Sequence, residues 1–142
     1  MKIHLVMLGK TRIPEIRALF DDYIRRIKHF AEVQVTELRD AAAWRKQKLD
    51  SHAAIVALDT AGKQFTSQQF AKWLGTQRDS GLRELVILCG DADGFPAELR
   101  AATKTKISLS TLTMPHELAR VLVAEQIYRA FAILAGHPYH RE

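Results

Sequence analysis

The chain is poor in the residues that staple or punctuate a fold: one cysteine, four prolines and seven glycines in 142 residues. Cys89 has no partner in the chain, which excludes a disulfide framework and suits a reducing compartment. No linker, repeat or low-complexity segment interrupts the sequence, and its length is that of one ordinary domain. A long uncharged apolar run is also missing. The most apolar stretch, residues 118–136, carries Arg120, Glu125 and Arg129, which would make a bilayer span costly. The opening MKIHLVML contains His4 and leads into charged residues without a small-residue cleavage site, so it reads as a strand rather than a signal peptide. A soluble, cytoplasmic protein is expected, with no membrane partner.

What is present is the composition of a packed globule, 47% hydrophobic and 26% charged. The net charge of +5 is a mild excess that suits an anionic partner such as RNA, or simply a solvated basic surface. Five β-type runs recur: residues 2–8, 32–38, 53–59, 84–89 and 106–110. Between them lie helical patterns: one from Pro14, a polar one over 40–51, one over 67–79 and a short one after Pro96. A long one runs from Pro115 to Ala135, with Gly136 as its stop. Strands alternating with helices predict a single α/β domain over residues 1–142, with a largely parallel sheet flanked by helices. On the long helix, Leu118, Val121, Leu122, Val123, Ile127, Phe131 and Leu134 exceed one buried stripe, which predicts a homodimer contact.

Ligands of such sheets sit beyond the carboxyl ends of the strands. Three loops are expected there: LDTAGK (58–63), CGDADGF (89–95) and LSTLTMPH (109–116). Gly90 and Gly94 permit close backbone approach, or simply a tight turn into the next helix. No phosphate-loop or dinucleotide fingerprint is present, and Cys89 and Arg100 would occupy ligand positions of a calcium loop. In LSTLTMPHELAR, free backbone groups at a helix start lie among Leu109, Leu112 and Met114, a fit for a polar ligand; Thr113 also has the chemistry of a helix cap. His116-Glu117 lacks the second histidine of a zinc helix, and HPYH has no third ligand, so no metal site is expected. The last seven residues, GHPYHRE, are too rich in functional side chains for an ordinary frayed end.

The segment SLSTLTMPHELARVLVAEQIYRAFAILAGHPYHRE closely resembles the small SPOUT-class RNA methyltransferases of the RlmH type, bacterial enzymes that methylate N3 of a pseudouridine in 23S rRNA. The S-L-S-x-L-T-[LM]-P-H stretch, Y-R-A and the terminal H-P-Y-H-R-E carry the resemblance most sharply, and length and segment order extend it over the whole chain. It implies an α/β fold with a C-terminal trefoil knot, a homodimer, S-adenosylmethionine as methyl donor, and 23S rRNA in a ribosomal particle as substrate. The donor pocket it implies comprises Leu58, Gly90, Leu109, Ser110, Thr111, Leu112, Thr113 and Met114. Where the family has paired glycines this chain has Gly90-Asp91, a carboxylate that a cationic donor would tolerate. For the acceptor, His140 has the chemistry to take a proton, Arg141 to hold phosphate and Tyr139 to stack on a base, with Arg129 and His116 as neighbours. The tail is thus expected to complete the site across the dimer interface, or else only to pin the last helix. A related methyltransferase acting on tRNA or another rRNA base, and a noncatalytic RNA-binding module, are the alternative functions.

Overall fold

The computed structural model describes residues 1–141. Its strands and helices alternate as β1 (Lys2–Leu8), α1 (Pro14–Ile27), β2 (Val33–Leu38), α2 (Ala41–Trp44), β3 (Ala54–Gln64), α3 (Ser67–Asp79), β4 (Glu84–Cys89), α4 (Ala97–Ala102), β5 (Thr105–Ser108) and α5 (His116–Leu134). The strands pair in the order β2-β1-β4-β3-β5 and every pair is parallel. Successive side chains of a strand point to opposite faces. Ile3, Leu5, Met7, Leu85, Ile87 and Cys89 accordingly join one core with α1, α3 and α5, whereas Val6, Leu8, Val86 and Leu88 join a second with Leu99 and Trp44. β4 lies at the centre and is buried along its whole length, which explains its unbroken apolar run.

Crossovers moving toward β2 use the three-helix layer, and those moving toward β5 use the two short helices. All four therefore share one hand, as parallel crossovers must. Connections leaving β1 and β4 diverge, so the switch point of the sheet lies between these strands. After β5, residues 109–115 bring the chain back from the edge, and α5 packs between α1 and α3. That return is where the expected trefoil would thread.

Two boundaries differ from the sequence reading. α2 occupies only Ala41–Trp44, started by Asp40, whose Oδ1 accepts the Ala43 amide at 3.0 Å. The polar residues that follow offer no apolar stripe to bury, so the helix stops. β3 continues to Gln64, so LDTAGK is a bulged strand rather than a free loop: both Leu58 and Lys63 pair with Ile107. Gly62 makes this possible, because a Cβ there would lie 2.7 Å from backbone atoms of Lys106 and Ile107.

His4 is buried and serves the structure. Its ring contacts Glu84 Oε1 at 3.2 Å and Thr36 Oγ1 at 2.8 Å, and burial lowers its pKa despite the neighbouring carboxylate.

Candidate active site

Where β3 bulges after Leu58 and just beyond the carboxyl end of β5, Leu58, Asp59, Thr60, Leu109, Ser110, Leu112, Thr113 and Met114 line a pocket of about 130 Å³. Six of the eight residues expected to bind a donor are among them. Local hydrogen bonds shape the loop. Ser108 Oγ donates to the Ser110 carbonyl at 2.9 Å, and Ser110 Oγ accepts the Leu112 amide at 3.0 Å. Thr113 does not cap α5; Pro115 holds that position with no side-chain bond. Among the described residues, the amides of Thr111, Thr113 and Met114 have no hydrogen-bond partner. Apolar walls beside free amides fit an amphipathic cofactor such as S-adenosylmethionine. Leu112 is 74% exposed, so one wall is open.

Gly90 and Thr111 do not line this pocket. Gly90 instead lets the β4–α4 loop fold on itself: a Cβ would lie 3.1 Å from the Gly94 carbonyl oxygen. The Asp91 carbonyl accepts the Gly94 amide at 3.1 Å, and its Oδ1 accepts the Asp93 amide at 2.8 Å. This turn is sufficient reason for an aspartate after Gly90, without reference to donor charge.

The tail forms a second cluster at the other end of α5. Gly136, at φ +70, ends the helix with paired bonds, from its own amide to Ile133 at 3.1 Å and from the His137 amide to Ala132 at 2.8 Å. The chain then turns back onto α5. Tyr139 donates to Glu125 Oε1 at 3.0 Å, packs edge-on against Tyr128 at 4.7 Å, and lies under the Arg129 guanidinium at 4.9 Å. Arg129 Nε and Nη2 donate to the same Glu125 oxygen at 2.9 and 2.6 Å. That bond raises the Arg129 pKa, while burial, then the contacts of its hydroxyl with Tyr23 and the Glu125 carboxylate, raise that of Tyr139. Tyr139 is therefore engaged by Arg129 over its ring, by Tyr128 edge-on and by Glu125 at its hydroxyl.

His140 also differs from its expected role. Arg129 Nη1 lies 3.0 Å from His140 Nδ1. A guanidinium only donates, so Nδ1 must accept and the ring proton sits on Nε2. That Nε2 is buried and, among the described residues, has no hydrogen-bond partner. In this arrangement the ring offers a donor, not a proton-accepting nitrogen. Arg141 is exposed, and Glu142 lies outside the described residues.

Glu125 was missed as the hub of this cluster, although its spacing of four from Arg129 is a helix-pair signal. His116 begins α5, whereas Arg129 lies thirteen residues further along it. At 1.5 Å per residue they are about 20 Å apart, so one chain does not bring His116 and the β3–β5 pocket to the tail.

The inward faces of α5 also revise the dimer argument. Val121, Val123, Ile127 and Phe131 are buried within the chain, leaving Leu118, Leu122 and Leu134 of the expected apolar set partly open. An apolar circumference is what a helix needs between α1, α3 and the sheet.

The family model described as "Predicted SPOUT methyltransferase" matches residues 1–140. The chain therefore belongs to the SPOUT methyltransferase family. It is 44% identical, over 100% of its length and 99% of the relative's, to a Novosphingobium aromaticivorans protein named "Ribosomal RNA large subunit methyltransferase H". A Koribacter versatilis protein of the same name is 38% identical over 99% of this chain and 98% of its own. A probable methylase family protein from Haemophilus influenzae Rd KW20 has the same fold, with TM-score 0.57 over 99% of this chain and 70% of its own at 10% identity. Among the described residues no helix is long and apolar enough to cross a membrane.

Proposed function

We propose that this chain methylates N3 of a pseudouridine in the 23S rRNA of the large ribosomal subunit, using S-adenosylmethionine and acting as a homodimer. The observation that carries the reading is the pocket of Leu58, Leu109, Ser110, Leu112, Thr113 and Met114, in a chain that aligns end to end with relatives bearing the large-subunit rRNA methyltransferase name. S-adenosylmethionine supplies an electrophilic methyl group when bound. Leu58, Leu109, Leu112 and Met114 would exclude water from the donor, and the free amides of Thr111, Thr113 and Met114 would hold its polar edges.

Homodimerisation answers the separation of about 20 Å along α5. A two-fold axis across α5 sets two copies antiparallel, which brings each tail toward the partner's donor loop. Leu118, Leu122, Arg129 and Ile133 form the partly open stripe for that contact. In the composite site the exposed Arg141 meets phosphate, while His140, whose Nε2 is buried, holds the tail on Arg129.

The test is donor-dependent methyl transfer to ribosomal particles and to free rRNA, followed by nucleoside mapping. The expected product is 3-methylpseudouridine. A methyl group on another nucleoside, or RNA binding without donor binding, contradicts the reading.

A further inference from the structure

The carboxyl end of the sheet has a second opening, between β1 and β2. Gly9, Lys10, Thr11, Arg12, Glu37, Leu38 and Arg39 line an open cleft of about 720 Å³ there. It lies three interstrand steps from the β3–β5 pocket, roughly 14 Å at the usual strand spacing.

The loop that forms the cleft is held from beneath. Glu117 Oε1, on the first turn of α5, accepts the Arg12 and Ile13 amides at 2.9 and 3.0 Å. Arg120, one turn on and only 1% exposed, donates to the Leu8 carbonyl at 2.6 Å and to Thr11 Oγ1 at 2.9 Å. Glu37 Oε2 accepts the Thr11 amide at 2.7 Å, and Arg17 pairs with Glu37 at 2.8 Å. Both nearby carboxylates are thus committed to the loop backbone or to Arg17. Asp40, next to Arg39, is committed to the start of α2.

Lys10, Arg12 and Arg39 remain. All three are exposed, and among the described residues none has a carboxylate within ion-pair distance. Surface cations usually find counter-charges or scatter. Here three unpaired ones surround one opening on a loop fixed at its amides, its hydroxyl and the preceding carbonyl. The same helix turn that fixes them, Glu117 to Arg120, directly follows the donor loop at 109–115. Anything gripped in the cleft is therefore held in a defined position relative to the donor pocket.

We propose that the β1–β2 cleft is a binding site for the phosphate backbone of the RNA substrate, with Lys10, Arg12 and Arg39 contacting phosphates a few nucleotides from the base being methylated. The Gly9, Thr11, Arg12 and Ile13 amides are already used, so recognition rests on side-chain cations and carries no sequence preference of its own. The cleft is a positioning site; it touches neither the methyl group nor the base. The inference rests on the proposed RNA activity for the identity of the substrate, but its test reads binding rather than methylation.

The experiment measures the affinity of the purified protein for an unmodified single-stranded oligoribonucleotide across a salt series, for Lys10→Gln, Arg12→Gln, Arg39→Gln and the triple variant. Removing one cation that meets a phosphate should flatten the slope of log affinity against log salt by about 0.7, and removing all three by about 2. The triple variant should bind RNA at least tenfold more weakly at low salt, while calorimetric affinity for S-adenosylmethionine stays unchanged. Because the substitutions are exposed and keep the backbone, that donor affinity also reports an intact fold. An unchanged slope in the triple variant overturns the proposal. So does displacement of bound RNA by poly-glutamate as effectively as by RNA, which would make the cleft a docking site for an acidic protein. If wild-type protein binds RNA through these cations but transfers no methyl group to rRNA, the activity assigned above fails and the cleft stands.

Discussion

At the amino end of α5, Glu117 and Arg120 both reach out to bind backbone and a hydroxyl of a loop more than a hundred residues earlier. At its carboxyl end, Glu125 and Arg129 bind each other, and the tail closes over them. The same two residue types on one helix therefore do opposite things. The first pair builds a distant surface and leaves its cations free. The second uses its own charges locally and leaves open a buried histidine N–H and the exposed Arg141. Arg120 Nε is likewise buried with no hydrogen-bond partner among the described residues, so an unsatisfied buried atom alone does not mark a partner's place, whereas unpaired exposed cations offer one.

Breaking the amino-terminal arrangement should have the largest effect on stability. Arg120→Met leaves the Leu8 carbonyl and Thr11 hydroxyl without their donor, and urea denaturation should show a loss of about 3 kcal/mol. A loss below about 1 kcal/mol would mean that the loop holds itself. Glu125→Ala should cost less, about 1–2 kcal/mol, because Arg129 and Tyr139 lie near the surface and water can replace part of what they lose. Its larger consequence should be functional, with methyl transfer falling more than donor affinity. Equal losses in both would remove the distinction between the two ends.

The smallest effect concerns pH. The Ile13 and Arg12 amides hold the Glu117 carboxyl below its ordinary value of 4.5. The unfolded chain therefore takes up that proton at higher pH than the folded one, so this contribution is present above pH 4.5 and lost as pH falls through the lowered folded value. Glu117→Gln should flatten the dependence of unfolding free energy on pH below 4.5. An unaltered slope would show that the carboxylate does not hold the loop.

Much of the fold was legible in the sequence because periodicity is local. The alternation in KIHLVML and the helical spacing from Pro14 placed β1 and α1 directly. β3 was underestimated since its bulge depends on Gly62 meeting Ile107 across the sheet. The pocket loop at 109–115 was legible as free backbone among apolar side chains. The tail roles were not, because Tyr139 and His140 owe their state to Glu125 and Arg129, which fold back against them. In the sequence Arg120 reads only as a charge in an apolar stretch, and Glu117 only as the neighbour of His116 in a helix that lacks a second histidine. Their partners lie 104 to 112 residues away, and no spacing rule reaches that far.

The central claim is that each active site joins one protomer's donor pocket to its partner's tail. Mixing two inactive variants tests it most directly: Thr113→Trp, whose indole would fill the pocket that Thr113 lines, and a chain lacking residues 139–142. After subunit exchange, half of the dimers are mixed, and in each of them one site combines an intact donor pocket with an intact tail. The account predicts recovery of roughly a quarter of wild-type methyl transfer, from one working site in two across half the dimers. No recovery, with exchange confirmed by mass spectrometry and each parent dimer folded, would contradict it.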